Sequence, residues 1–124
     1  MKRIALLVVA LTFIVASVAY ADILRGTDGS ETIIGTGGSD VIYGLGAYDV
    51  LEGKRGSDEL HGGAGRDEVY GGKGRDLVVG GAGRENWISG GNGNDTIKAK
   101  DGEADFVHCG AGFDVAWIDM HDAL

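Results

Sequence analysis

The chain has no proline, one cysteine and three histidines, and aromatic residues make up only 7% of its 124 positions. A single cysteine, Cys109, excludes a disulfide within the chain. The histidines, His61, His108 and His121, are too widely spaced for the H-E-x-x-H zinc pattern. Ser17, Ser30, Ser39, Ser57 and Ser89 form no G-x-S-x-G elbow. Basic side chains are also scarce. Beyond residue 21 there are nine, against nineteen acidic ones, a net charge of -10. Such a surface repels nucleic acid and anionic membranes and attracts cations.

Long apolar runs are absent except at the start. Residues 1–21 open on Lys2-Arg3, continue through IALLVVALTFIVASVA and close on Ala19-Tyr20-Ala21, an A-x-A pattern. This is the three-part form of a secretory leader, with cleavage expected after Ala21. The competing reading is an anchor that is retained, because the stretch is nearly long enough to span a bilayer. Cleavage is the expectation, and with it a secreted, extracellular protein beginning at Asp22.

The remainder holds all 24 glycines. Glycine-rich composition suits a flexible linker, but here it is periodic. GGAGRDEVY (62–70) is followed by GGKGRDLVV (71–79), and the nine-residue frame extends both ways: GTDGSETII, GTGGSDVIY, GLGAYDVLE and GKRGSDELH before it, GGAGRENWIS, GGNGNDTIK, AKDGEADFVH and CGAGFDVAW after it. The tail of one further unit, ADILR, precedes Gly26. Position eight reads Leu24, Ile33, Ile42, Leu51, Leu60, Val69, Val78, Ile88, Ile97, Val107 and Ala116. An unbroken apolar series of that length arises by chance about once in ten thousand trials, so the register is real. Position six is Asp22, Glu31, Asp40, Asp49, Asp58, Asp67, Asp76, Asn86, Asp95, Asp105 and Asp114. The repeat thus fills 22–117, leaving 118–124 as a tail or cap.

Helix is excluded, because each interior glycine costs a helix about 1 kcal/mol and nine residues cannot hold two helical turns and a connection. Each unit divides instead into a glycine-rich turn and a strand of about three residues, in which only position eight points inward. Stacked units bury a row of single aliphatics that no unit could bury alone. Two units make one coil of about 18 residues, so alternate position-six residues line opposite edges. One edge carries Asp22, Asp40, Asp58, Asp76, Asp95 and Asp114; the other carries Glu31, Asp49, Asp67, Asn86 and Asp105. Strands stack about 4.8 Å apart, so like charges recur at a distance where repulsion is costly. A divalent cation between turns relieves it. Ca²⁺ takes six to eight oxygens in irregular geometry, so carboxylates and free turn carbonyls suit it better than they suit Mg²⁺.

The units GGAGRDEVY, GGKGRDLVV and GGNGNDTIK resemble the repeats-in-toxin calcium-binding family, whose motif is G-G-x-G-x-D-x-U-x. The resemblance implies an all-β, right-handed parallel β-roll with several Ca²⁺ ions between glycine-rich turns, in a secreted bacterial protein. It implies ligands among Asp40, Asp49, Asp58, Asp67, Asp76, Asp95, Asp105 and Asp114. Backbone oxygens would come from the turns of Gly53 and Gly56, of Gly62, Gly63 and Gly65, of Gly71, Gly72 and Gly74, of Gly80, Gly81 and Gly83, and of Gly90, Gly91 and Gly93. Family members often carry the roll beside a toxin, protease or lipase domain and leave the cell by a C-terminal signal, whereas an N-terminal leader implies another route. Two further departures matter. Thr27, Thr36, Leu45 and Lys54 replace the second glycine, so the N-terminal sites are expected to be less secure. The extra residue in GGAGRENWIS is expected to displace Asn86 and Trp87 and to leave the site facing Asp67 and Asp105 distorted or empty.

No distinguished pair of carboxylates suggests acid and base catalysis, since they recur evenly along both edges. The chain therefore reads as a non-enzymatic calcium-binding module. The alternative is an adhesion or carbohydrate-binding module in which calcium only supports the scaffold, with Trp87 and Phe106 at position seven as an exposed patch or an end cap. An enzyme fragment ranks third. His61 and His108, at position nine, read as surface histidines, and Cys109 as a tolerated small residue at a glycine position.

Overall fold

The computed structural model describes the backbone of residues 3–6 and 13–15 and all of residues 21–124. The expected leader and its cut after Ala21 lie largely outside the described residues. Among the described residues thirteen strands follow one another: β1 Arg3–Leu6, β2 Phe13–Val15, β3 Asp22–Arg25, β4 Thr32–Ile34, β5 Val41–Leu45, β6 Val50–Glu52, β7 Glu59–Gly63, β8 Glu68–Lys73, β9 Leu77–Val79, β10 Trp87–Asn92, β11 Thr96–Lys98, β12 Phe106–Ala111 and β13 Val115–Trp117. There is no helix among the described residues.

Odd-numbered strands form one sheet in the order β1-β3-β5-β7-β9-β11-β13, and even-numbered ones the other, β12-β10-β8-β6-β4-β2. Every named pairing is parallel, because a chain that crosses to the other sheet and returns always runs the same way. Ile42 lies opposite Leu60, and Leu60 opposite Val78, which makes the coil 18 residues long. The fold is a parallel β-solenoid of the β-roll kind.

Position eight builds the core. Leu24, Ile42, Leu60, Val78 and Ile97 descend one sheet and Ile33, Leu51, Val69, Ile88 and Val107 the other, all buried. Ala116 is only partly buried, because its side chain is short and its coil is the last. Strands alternate as their pleat requires: β5, for example, is buried at Ile42 and Gly44 and half-buried at Val41 and Tyr43.

The two ten-residue units lengthen the coil without breaking the register. Val78 pairs with Ile97 across 19 residues. The displacement expected at Asn86 and Trp87 does not occur: Trp87 lies opposite Glu68 and Ile88 opposite Val69. Glu85 absorbs the additional residue in the turn, at φ 61°, and its amide donates to the Ala104 carbonyl. Loops accept insertions at lower cost than a strand whose one-residue slip would turn its apolar side chain outward. The tail also joins the solenoid. Val107 donates to the Ala123 carbonyl at 2.7 Å and Ala123 to the Asp105 carbonyl at 2.8 Å, extending the even-numbered sheet.

Candidate metal centre

Two ladders of carboxylates run along the edges. Each position-six side chain from Asp40 to Asp114 accepts, through Oδ1, the backbone N–H of the position-six residue one coil earlier. On one edge Asp22 donates to Asp40, Asp40 to Asp58, Asp58 to Asp76, Asp76 to Asp95 and Asp95 to Asp114, at 2.8–2.9 Å. On the other, Glu31 donates to Asp49, Asp49 to Asp67, Asp67 to Asn86 and Asn86 to Asp105, at 2.8–2.9 Å. The edge assignment read from an 18-residue coil is the one observed.

All of these side chains but Asp114 are buried: Asp49 and Asp67 are 0% exposed, and Asp58 and Asp76 2%. The second oxygen of six of them, Oδ2 of Asp49, Asp58, Asp67, Asp76, Asp95 and Asp105, has neither solvent nor a hydrogen-bond partner. Burial raises their affinity for protons, opposed by the ladder N–H and reinforced at several positions by like charge. Asp58 is pushed up to about 8 by burial, with Asp76 and Asp40 adding to it. Asp49 rises to about 7 by burial, helped by Asp67 and Glu31. Burial lifts Asp67, Asp76 and Asp105 to about 6, and moves Asp95 upward too.

The first glycine of a unit exists to make room for this oxygen. A Cβ on Gly53 would stand 2.5 Å from Asp58 Oδ2 and 2.5 Å from the Gly71 carbonyl oxygen. Gly44, Gly62, Gly71 and Gly90 are equally hemmed in by Asp49, Asp67, Asp76 and Asp95 and by the carbonyls of Gly62, Gly80, Gly90 and Cys109. A buried carboxylate oxygen with neither donor nor solvent is costly unless a proton or a cation stands beside it. At the second and fourth positions the backbone is left-handed, as at Gly63, Gly65, Gly72 and Gly74. Leu45 (φ 82°) and Lys54 (φ 75°) adopt that conformation without being glycine.

Among the described residues no three His, Cys, Asp or Glu side chains converge as a metal cluster. A cation here has to draw on backbone oxygens as well. The donors are carboxylate and carbonyl oxygens without nitrogen or sulfur, which is the set that Ca²⁺ favours. The unpartnered Oδ2 atoms therefore fit a hard divalent ion. Turn carbonyls are less idle than the spacing suggests: those of Leu45 and Lys54 accept from Ala64 and Lys73 of the next coil, both at 2.7 Å.

Not every expected ligand is alike. Asp40 has both oxygens engaged, because Thr36 donates its amide to Oδ2 at 2.6 Å and its hydroxyl lies 2.9 and 3.0 Å from the two oxygens. Asn86 keeps the ladder intact yet carries an amide nitrogen, directed at the Gly83 carbonyl at 3.3 Å, where its neighbours carry a free oxygen. Asp114, at the open end, is only half-buried. Asp122 was outside the nine-residue frame, but it continues the second ladder by accepting from Asp105 at 3.0 Å. Its signal was the D-x-U ending Asp122-Ala123-Leu124 after a shortened unit.

The other residues singled out have plain surroundings. His61 stacks on Tyr43 at 5.0 Å and its Nε2 lies 2.7 Å from Glu59. Cys109 packs partly against the core, and burial, with Asp114 and Asp95 nearby, pushes its thiol up and away from the reactive thiolate. Trp87 and Phe106 lie 6.1 Å apart on the outer face of the even-numbered sheet, about half exposed.

The chain matches the family described as RTX calcium-binding nonapeptide repeat (4 copies) over residues 25–60, 52–84 and 80–116, which together span well over half of its length. No curated protein and no solved structure matches it. With stacked glycine turns, a single-file aliphatic core and two aspartate ladders already in place, the chain belongs to the RTX calcium-binding nonapeptide-repeat family.

Proposed function

We propose that the protein is a secreted, non-catalytic β-roll whose folding is coupled to several Ca²⁺ ions held between its glycine-rich turns. The observation that carries this reading is the set of six buried Oδ2 atoms without partners. Leaving a buried carboxylate oxygen uncompensated is expensive, and an ion that binds only the folded chain returns that cost as stability. Asp49, Asp58, Asp67, Asp76, Asp95 and Asp105 are the carboxylate ligands in this reading, with oxygens of the adjoining turns filling the shells. Secretion rests on the leader form of residues 1–21. The test is equilibrium dialysis of residues 22–124 against Ca²⁺ and Mg²⁺: several Ca²⁺ per chain, with little Mg²⁺ competition, is expected, and no Ca²⁺ uptake at millimolar concentration would overturn the reading.

A second reading has its own observation. Trp87 and Phe106 border a cleft of about 310 Å³ together with Arg66, Glu68, Tyr70 and Glu85. The Glu68 carboxylate accepts from the hydroxyls of Tyr48 and Tyr70, which hold it below the usual carboxylate range. Exposed rings beside fixed polar groups suit a sugar surface, in which case calcium would only support the scaffold. Retention on insoluble polysaccharide that is lost in Trp87→Ala, with calcium uptake unchanged, would favour this reading.

A further inference from the structure

The turns at Thr27–Glu31, Thr36–Asp40 and Asp119–Asp122 are closed differently from those between them. In the second unit the Thr36 amide and hydroxyl engage Asp40, and the same hydroxyl accepts from the Gly38 amide at 2.9 Å. In the first unit Thr27 repeats the arrangement: its amide donates to Glu31 at 3.0 Å, its hydroxyl bonds the same carboxylate, and that hydroxyl accepts from Gly29 at 3.0 Å. At the other end, Asp122 accepts from Asp105 through one oxygen and from the Asp119 amide, at 2.8 Å, through the other. Among the described residues, left-handed conformations, which mark the remaining turns, begin at Leu45. All six unpartnered oxygens lie between these ends, from Asp49 to Asp105.

Building on the calcium reading, we propose that Ca²⁺ is confined to the coils between Asp49 and Asp105, and that the threonine-closed turns at Thr27–Glu31 and Thr36–Asp40 and the Asp119–Asp122 turn are caps that exclude the ion by satisfying their own carboxylates. The physical reason is an exchange. A carboxylate that already accepts donors on both oxygens must give those bonds up to face a cation, and where the donors are buried, as at Thr36, they are then left without acceptors. Asp58 Oδ2 has no such bond to lose. Thr36, 4% exposed, also fills the space beside its carboxylate.

Asn86 shows that asparagine keeps the ladder bond, so Asp→Asn variants can remove one carboxylate without dismantling the solenoid. The experiment is calorimetric counting of Ca²⁺ on the whole chain for wild type, Asp40→Asn, Asp58→Asn and Thr36→Gly, with circular dichroism in calcium to check the fold. Asp40→Asn is expected to bind as many ions as wild type, Asp58→Asn at least one fewer, and Thr36→Gly one more, because glycine removes the hydroxyl and admits the left-handed turn seen at Gly72, in which the carboxylate Oδ2 of the unit, that of Asp76, has no donor. If Asp40→Asn loses as many ions as Asp58→Asn, or Thr36→Gly gains none, the caps are overturned while the calcium reading stands. If wild type takes up no ion, both fall together.

Discussion

At the scale of single residues the backbone and the buried carboxylates make separate demands. Lys54 occupies a left-handed position that the units after it fill with glycine, as at Gly63 and Gly72. Relief of that strain, less the entropy glycine loses on folding, should make Lys54→Gly more stable by about 0.5 to 1 kcal/mol. Gly72→Ala should act the other way, by about 2 kcal/mol or more, since its Cβ would meet the Lys54 carbonyl oxygen at 2.2 Å in a left-handed backbone. Denaturant melts at saturating Ca²⁺ measure both. The carboxylates set a pH dependence. Asp58 titrates near 8 when folded without metal and near 4 when unfolded. A raised folded value gives stability that is full below about pH 4 and lost as the pH climbs through about 8. The metal-free chain should therefore show more β-structure by circular dichroism at pH 5 than at pH 8. Because bound carboxylates must be ionised, calcium affinity should fall over the same interval as the pH drops. Equal or greater order at pH 8 in EDTA would contradict this.

At the scale of the nine-residue element, the architecture predicts who couples to whom. Asp58 donates its N–H to Asp76, one coil on, whereas Asp67 belongs to the other ladder with Asp49. A double-mutant cycle on Asp58→Ala and Asp76→Ala, read from calcium-saturated folding free energies, should give a coupling of about 0.5 to 3 kcal/mol, larger than that for Asp58 with Asp67. The reverse order would mean that nine residues are not half a coil. The periodic parts of this element were legible in the sequence for a simple reason: positions six and eight each do one job, so Asp and an aliphatic recur there without ambiguity. Leu24 through Val107 could be placed in the core, and Asp22 through Asp114 on their edges, from spacing alone. What spacing could not show is how a turn is closed. Thr27 and Thr36 look like defects in a glycine pattern, yet their hydroxyls supply bonds that glycine cannot make. Glu85 looks like a disruption but leaves the turn by a single left-handed residue, because the strand register is worth more than the turn geometry. Asp122 was hidden by a unit one residue short, although its ladder bond depends only on where the coil brings it.

At the scale of the whole molecule, two thin sheets enclose one aliphatic per nine residues, and two columns of buried carboxylates run beside them. So little apolar surface is buried per ordered residue that the fold has no large hydrophobic reserve against the cost of its charges. The chain is also acidic overall, with a net charge of -8, which adds self-repulsion to the compact state. Folding and cation binding should then be one event, cooperative in Ca²⁺ because each ladder residue bonds to the next. The most direct test is a Ca²⁺ titration of residues 22–124 followed at once by calorimetry and circular dichroism at neutral pH. The account predicts a largely unfolded spectrum in EDTA and a sigmoidal gain of β-structure that coincides with the uptake of several ions. A β-rich spectrum in EDTA, with a melting curve unchanged by millimolar Ca²⁺, would contradict it.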